Sequence, residues 1–298
     1  MKKIFLSGLL NVESSLMVDS FPIEYCPIEY PFFGINSSVS GVGYNIAKAL
    51  KVLGDDFDLY SIVGEDNRGE VVINQLNKDG IDSTYVVMDD KEATPESIVL
   101  VNKEGIRKIY CDLKNIQNVS PFSKPKFDPK EYELAILTNI NFNRPLLEYF
   151  KKSGVPIATD VHVLSNINDE YNKDFMNNAD ILFFSNEGCI GREVSFIKEI
   201  YNQYHNKIIV IGCGDKGAIA YIGGEDRIVH QEAVAPLGIK NTVGAGDALF
   251  TGFIHYYKKS QNIEKSLQFA TIFAGIKISS SGGANGFVDE KTVLKYMK

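Results

Sequence analysis

Lys240-Asn-Thr-Val-Gly-Ala-Gly-Asp-Ala-Leu-Phe-Thr-Gly252 is the stretch that decides the fold and the chemistry of this chain. Gly244, Ala245 and Gly246 are small, and Leu249, Phe250 and Phe253 begin a helical apolar pattern directly after them. The first turn of a helix has N–H groups without intrahelical partners, and the dipole adds partial positive charge, so such an entry can hold an anion. Asp247 falls in that first turn. It could simply cap the helix, as Asp often does. Gly-Ala-Gly, however, is a costly way to enter a helix if capping is the only purpose. Backbone donors facing a phosphate, with a carboxylate beside them to accept a proton from a hydroxyl, suit phosphoryl transfer. Gly244, Ala245 and Gly246 are therefore the candidate anion hole and Asp247 the candidate base. A side chain at Gly244 is expected to harm that hole more than the fold.

Two other glycine-rich segments frame this one. Gly41-Val-Gly43-Tyr-Asn45-Ile-Ala47 precedes a helix, and its glycines allow either a ligand or a neighbouring strand to come close. Gly212-Cys-Gly214-Asp-Lys-Gly217 matches G-x-G-x-x-G, but Ala218-Ile-Ala-Tyr-Ile222 follows it and reads as a strand. A dinucleotide fingerprint must open a helix, so a tight turn is the better reading and a nicotinamide oxidoreductase the weaker one. No G-x-x-x-x-G-K-[ST] occurs, which excludes a P-loop enzyme.

Outward from these segments, short apolar runs alternate with amphipathic stretches. Strands are predicted at Lys3–Ser7, Asp58–Val63, Leu134–Thr138, Ile157–Asp160, Ile181–Ser185 and Lys207–Ile211. Helices are predicted at Tyr44–Leu53, Gly69–Asp79, Arg144–Ser153 and Glu193–Tyr204, with further helices at Asp247–Lys258, Ile263–Ser279 and Glu290–Tyr296. Ala218–Ile222 and Arg227–Gln231 read as a hairpin. The pattern predicts an α/β fold: a doubly wound, mainly parallel sheet with helices on both faces, in one domain spanning 1–298. Residues 14–40 and 92–112 break the alternation. The second reads as strand, turn, strand, and together the two suggest a small β-sheet that acts as a lid.

Composition removes several function classes. With 31 Lys and Arg against 38 Asp and Glu, the net charge is −7, which disfavours nucleic acid as a partner. The 44% hydrophobic and 23% charged fractions exclude a disordered chain. No apolar run approaches the ~18 residues of a membrane span. Cys26, Cys111, Cys189 and Cys213 form no C-x-x-C and no metal-binding cluster, which points to reduced thiols in the cytoplasm. Lys2-Lys-Ile-Phe-Leu6 imitates a signal peptide but is interrupted by Ser7 and Gly8, and fits a first buried strand better.

Asn241-Thr-Val-Gly-Ala-Gly-Asp247 resembles the D-T-x-G-A-G-D motif of the ribokinase (PfkB) carbohydrate kinases. Gly41–Asn45 resembles their upstream G-G-x-G-x-N motif, and order and spacing agree over nearly the whole chain. The resemblance implies a ribokinase-like fold with a β-lid, often used for a homodimer, and an ATP-dependent kinase whose acceptor is an alcohol of a small sugar. It implies ATP contacts at Asn186, Gly214, Gly217, Asn241, Thr242, Gly244 and Gly246, and substrate contacts at Asn11, Glu13, Gly41, Asn45, Asn139 and Asp247. Magnesium would be carried on the ATP phosphates, with no assigned protein ligand. Tyr110–Ile116 and the Gly41–Ala47 run also look like pseudouridine kinases, so a nucleoside acceptor is the alternative.

Several positions depart from the family pattern. Asn241 replaces the first Asp of the motif, removing a charge near the phosphates or a monovalent cation. Cys189 stands where N-x-x-E has its Glu, with Glu187 and Glu193 nearby but out of register. Gly212 replaces a Thr, Val42 a Lys, Ser40 a Gly and Glu13 an Asp. These departures leave room for a weakly catalytic homologue that binds sugar or nucleotide. The base and the anion hole themselves are intact, which favours an active kinase.

Overall fold

The structure is a computed structural model and describes residues 2–119 and 127–297. Its centre is β1 (Lys3–Ser7), the segment that imitates a signal peptide. It pairs in parallel with β4 (Phe57–Gly64) on one side and with β8 (Tyr132–Leu137) on the other. From β8 the sheet continues through β9 (Ile157–Val163), β10 (Ile181–Ser185) and β11 (Ile208–Gly212), all parallel. The hairpin β12 (Ala218–Ile222) and β13 (Arg227–Gln231) adds two antiparallel strands, and β5 (Val86–Asp89) closes the opposite edge. Among the described residues this gives nine strands, in the order β13-β12-β11-β10-β9-β8-β1-β4-β5.

Both faces of this sheet are covered, and the residues show why. Successive side chains of a strand point to opposite faces. Ile4 and Leu6 enter one core with Phe183, Phe250 and Phe253, while Phe5 enters the other with Tyr60, Phe142 and Phe150. Ile208 and Val210 divide from Ile209 and Ile211 in the same way. An uninterrupted apolar strand is what a parallel sheet with helices on both faces requires. The helices are α1 (Val42–Leu53), α2 (Asn67–Lys78), α3 (Arg144–Ser153), α4 (Lys173–Asn178), α5 (Glu193–Tyr204), α6 (Ala245–Ser260), α7 (Ile263–Lys277) and α8 (Glu290–Leu294). The long apolar helices α6 and α7 pack as a pair, with Gly252 lying close against Ala270 and Phe273.

A second sheet, of four strands, stands off the first. Its order is β3 (Ile35–Ser40), β2 (Asn11–Met17), β6 (Glu96–Val101) and β7 (Arg107–Asp112). The two irregular segments of the sequence thus meet in one sheet. Its first strand begins at Asn11, three residues before the expected boundary, so Asn11 and Glu13 belong to the sheet itself. Two elements were not foreseen: β5 has four residues and α4 six, too few for either hydrophobic period to emerge. No helix among the described residues is long and apolar enough to cross a membrane.

Candidate active site

The strand order reverses beside β1, because the chain moves to β4 and β5 on one side before crossing to β8 on the other. In an open α/β sheet the crevice at the carboxyl ends of the strands by such a point is where ligands bind. The N-termini of α1 and α6 both open here, under the small sheet.

Gly244 is the N-cap of α6, with φ 76°, and no side chain caps the helix. Asp247 is therefore not a cap. Its carboxylate crosses to α1, where Asn45 Nδ2 donates to Asp247 Oδ2 at 2.6 Å. Burial pushes the Asp247 carboxyl above its ordinary value; the Asn45 hydrogen bond and the nearby His162 oppose the shift, and Asp160 adds to it. A carboxyl held above its ordinary value suits a group that takes a proton from a hydroxyl.

The candidate anion hole differs slightly from expectation. Ala245 N donates to Thr242 O at 3.2 Å and closes a local turn. The N–H groups of Gly246 and Asp247 have no carbonyl one turn back within the helix. A Cβ at Gly246 would meet no atom within 4 Å, so this glycine borders open space. Gly244 is more constrained than the sequence suggested. A Cβ there would lie 2.3 Å from Gly283 O, in a left-handed backbone that favours glycine. A side chain at Gly244 would damage the fold as well as the hole, which corrects the expectation that the fold would be spared.

Asn11, Glu13, Gly41 and Asn45 come together beside Asp247. Asn11 Nδ2 donates to Ser97 Oγ at 2.9 Å, and Ser40 Oγ donates to Glu13 Oε2 at 3.2 Å. Burial raises the Glu13 carboxyl; the Ser40 hydroxyl opposes this and the negative field of Asp247 reinforces it. The carbonyl oxygens Asn11 Oδ1 and Asn45 Oδ1 are both buried without a hydrogen-bond partner. Buried acceptors are ordinarily satisfied, so two unsatisfied ones in one crevice suit a ligand that brings donor groups. Gly41, at φ 101°, and Gly43 serve packing: a Cβ on the first would come within 2.5 Å of Leu9 O, and on the second within 2.6 Å of the Gly8 carbonyl carbon.

Asn139 has partners of its own. Its amide donates to Asn172 Oδ1 at 3.0 Å and its carbonyl accepts from Tyr171.

On the other side of α6 lie the expected nucleotide contacts. Asn186 Nδ2 donates to Glu193 Oε1 at 2.9 Å, and that bond holds the Glu193 carboxyl below its ordinary value. Cys189 is buried and its thiol is pushed up by burial. Gly214 borders open space, whereas Gly217 is needed for the fold, since a Cβ there would lie 2.0 Å from Gln231 O. Gly212–Gly217 is the tight turn between β11 and β12. Asn241 Oδ1 accepts from Val243 N at 2.7 Å, so this residue shapes the loop into α6. Thr242 Oγ1 accepts from Arg107 of the small sheet at 3.2 Å.

Arg107, Asp160, His162 and Lys277 were missed by the sequence reading. Asp160 and His162 stand at the carboxyl end of β9, a position that marks site residues in parallel sheets. Lys277 had a fainter signal: it falls four residues after Phe273, on the apolar side of α7.

A doubly wound sheet with an anion-accepting helix entry, a carboxylate in its first turn and a small β-sheet above defines a phosphotransferase of the sugar-kinase type. The description "pfkB family carbohydrate kinase" matches residues 1–290, and the chain belongs to that family. It is similar to the deoxyribokinase of Salmonella typhimurium (strain LT2), at 24% identity over 310 residues, covering 99% of this chain and 98% of the relative. Two solved structures share the fold. A microbiome-derived acarbose kinase, Mak1, has a TM-score of 0.89 at 19% identity, covering 99% of this chain and 98% of its own. The nucleoside kinase of Methanocaldococcus jannaschii has a TM-score of 0.80 at 19% identity, covering 99% and 97%. The protein is thus a kinase that transfers phosphate to a hydroxyl group.

Proposed function

We propose that the protein phosphorylates a hydroxyl of a small, polyhydroxylated sugar or sugar acid with ATP, using Asp247 as the base. The observation that carries this reading is the convergence of two buried, unpartnered acceptors, Asn11 Oδ1 and Asn45 Oδ1, beside the Asp247 carboxylate. Asp247 takes the proton from the acceptor hydroxyl. The oxygen then bonds to the γ-phosphorus, the bond from that phosphorus to the bridging oxygen breaks, and ADP leaves with the electron pair. The open amides at the start of α6 stabilise the charge that gathers on the transferring group.

The lid surface favours a sugar over a nucleoside. By strand alternation and register, Asn11, Glu13 and Ser15 share a face with Ser40, Ser38, Asn36 and Ser97. Near Asn11 and Glu13 that face offers hydroxyl, amide and carboxylate groups, farther out it carries Met17, Val99, Ile109, Cys111 and Arg107, and it has no aromatic ring on which a base would stack. The nucleoside kinase neighbour keeps the alternative in view, and the aromatic residues of the loop between β2 and β3 are the groups that would serve it. A divalent cation fits on the nucleotide side. Asn186 and Glu193 would hold it together with the ATP phosphates, so Glu193 takes over the carboxylate that Cys189 does not provide. Magnesium there would neutralise phosphate charge.

The lid also supports a homodimer. Tyr25, Ile28, Tyr30, Phe32 and Phe33 are exposed in one loop, with Phe33 101% exposed. A patch of this kind on a lid edge is normally covered. A second copy of the chain is the occupant proposed, in a cytoplasmic enzyme.

ADP release, measured with a panel of pentoses, hexoses, sugar acids and nucleosides, tests the function. A sugar or sugar acid should give the highest kcat/KM; a purine nucleoside outrunning all of them by tenfold would overturn the sugar reading.

A further inference from the structure

Lys277 closes α7 with 0% of its surface exposed. Lysine is almost never fully buried unless paired with a carboxylate. The partners here are two backbone carbonyls: the ammonium donates to Val243 O and, at 2.8 Å, to Gly282 O. Asp247 and Glu13 attract it only through space, and Arg107 repels it. A positive charge has therefore been taken out of water and placed against two loops that meet at the entry of α6.

Those two carbonyls are informative because of what their peptides carry. Val243 C=O and Gly244 N–H belong to one planar trans peptide, so they point in opposite directions. Holding the oxygen toward Lys277 aims the Gly244 N–H to the other side, where the anion hole opens. A cation on the oxygen also polarises the amide and makes its N–H a better donor. Gly282 O belongs to the peptide preceding Gly283, whose own carbonyl lies against Gly244. The loop is fixed at its other end by the same part of α7, since Ile278 O accepts from Lys240 N at 2.8 Å and from Asn241 N at 3.0 Å.

We propose that the Lys277 ammonium is a tethered cation that aims and polarises the Val243–Gly244 peptide toward the transferring phosphoryl group. Lys277 is thus a positioning residue. It supplies from within the chain the charge that a monovalent cation from solution would otherwise have to bring to the two carbonyls. Asn241, where the family motif has an acidic residue, agrees with this arrangement: a site already holding its cation has less need of a second anion.

The inference rests on the reading of Gly244 as part of the anion hole, and the experiment separates the two. Wild-type ADP release is measured with D-ribose, 2-deoxy-D-ribose, D-gluconate and inosine, with magnesium present, in potassium chloride and then in tetramethylammonium chloride. The rate should agree within twofold between the salts; activation of more than fivefold by potassium would overturn the proposal without any variant. No release with any acceptor would instead count against the kinase reading of the site.

Lys277→Met should lower kcat at least ~30-fold while KM for ATP changes less than threefold. Lys277→Ala should lose rate similarly and regain at least tenfold on addition of ammonium, but not of tetramethylammonium. A Lys277→Met kcat within threefold of wild type would overturn the assignment, as would a folded Lys277→Ala enzyme that ammonium does not restore.

Discussion

Asn45 Nδ2 donates to Asp247 Oδ2 across 2.6 Å, joining the first turns of two helices whose residues are 202 positions apart in the chain. This bond leaves Asn45 Oδ1 buried and free to accept. One side chain thus holds the Asp247 carboxylate and keeps a second polar atom unpaired beside it.

Asp247→Asn should reduce kcat at least ~100-fold with little change in ATP affinity, because an amide cannot accept the hydroxyl proton. The melting temperature should rise. Burial holds the Asp247 carboxyl above its ordinary value, so above that folded value the ionised group costs stability, and a neutral amide removes the cost. Single-turnover rates and thermal unfolding on one preparation check both signs; a variant of lower stability and normal turnover would contradict them.

Gly246→Ala and Gly244→Ala should part company. At Gly246 a Cβ enters open space and the backbone is ordinary helix, so stability should hold or improve by a few tenths of a kcal/mol, up to about 1 kcal/mol, while turnover drops as the methyl crowds the phosphate. At Gly244 the Cβ meets Gly283 O in a left-handed backbone, so stability should fall by about 1–3 kcal/mol together with activity. Denaturant unfolding and kcat, measured for both variants, give the comparison.

Glu193→Gln should raise the magnesium concentration needed for half-maximal rate by about 3- to 10-fold, following the loss of one carboxylate beside a divalent cation. Titrating magnesium at saturating ATP measures it, and an unchanged midpoint would remove Glu193 from the nucleotide site.

Lys277 should give opposite pH signatures in stability and rate. Burial pushes its ammonium down to about 8 from an ordinary 10.5. Below pH 8 both folded and unfolded chains carry the proton, and the full cost of burying the charge applies. Between about 8 and 10.5 the unfolded chain binds more protons, so this residue's contribution to stability improves as pH rises. That difference corresponds to roughly 3 kcal/mol across the window. Wild type should therefore gain stability relative to Lys277→Met between pH 7 and 10, while its own kcat declines above about pH 8.

Phe32→Glu combined with Phe33→Glu should convert a lid-mediated dimer to monomer, since each side chain is almost wholly exposed on one chain and an introduced carboxylate would be buried on association. Sedimentation equilibrium distinguishes the states; a wild-type monomer at tens of micromolar would refute the dimer.

The sequence by itself determined the alternation of strands and helices and the entry into α6, and it singled out Asp247 as the candidate base. Those signals are local. Ile208–Ile211 reads as a doubly buried strand from four consecutive residues, and Gly244–Gly246 reads as an anion-accepting turn from small residues at a helix entry, with the Asp247 carboxylate beside it. Tertiary structure alone decided which distant groups face Asp247. Asn45 bonds to it and Glu13 feels its charge because two helix entries and a sheet edge converge at the point where strand order reverses. Glu193 comes back to Asn186 because the chain makes one further turn, which a linear motif cannot register. Lys277 lies inside the helix predicted at Ile263–Ser279, with only its spacing from Phe273 to mark it. Only the packing of α7 against the loop before α6 removes it from water and turns its charge toward two carbonyls. Gly244 looked replaceable without harm to the fold until Gly283, 39 positions away in sequence, closed the space beside it. Local patterns specify backbone periodicity and chemical type, whereas burial, field and clearance depend on what the rest of the chain places alongside.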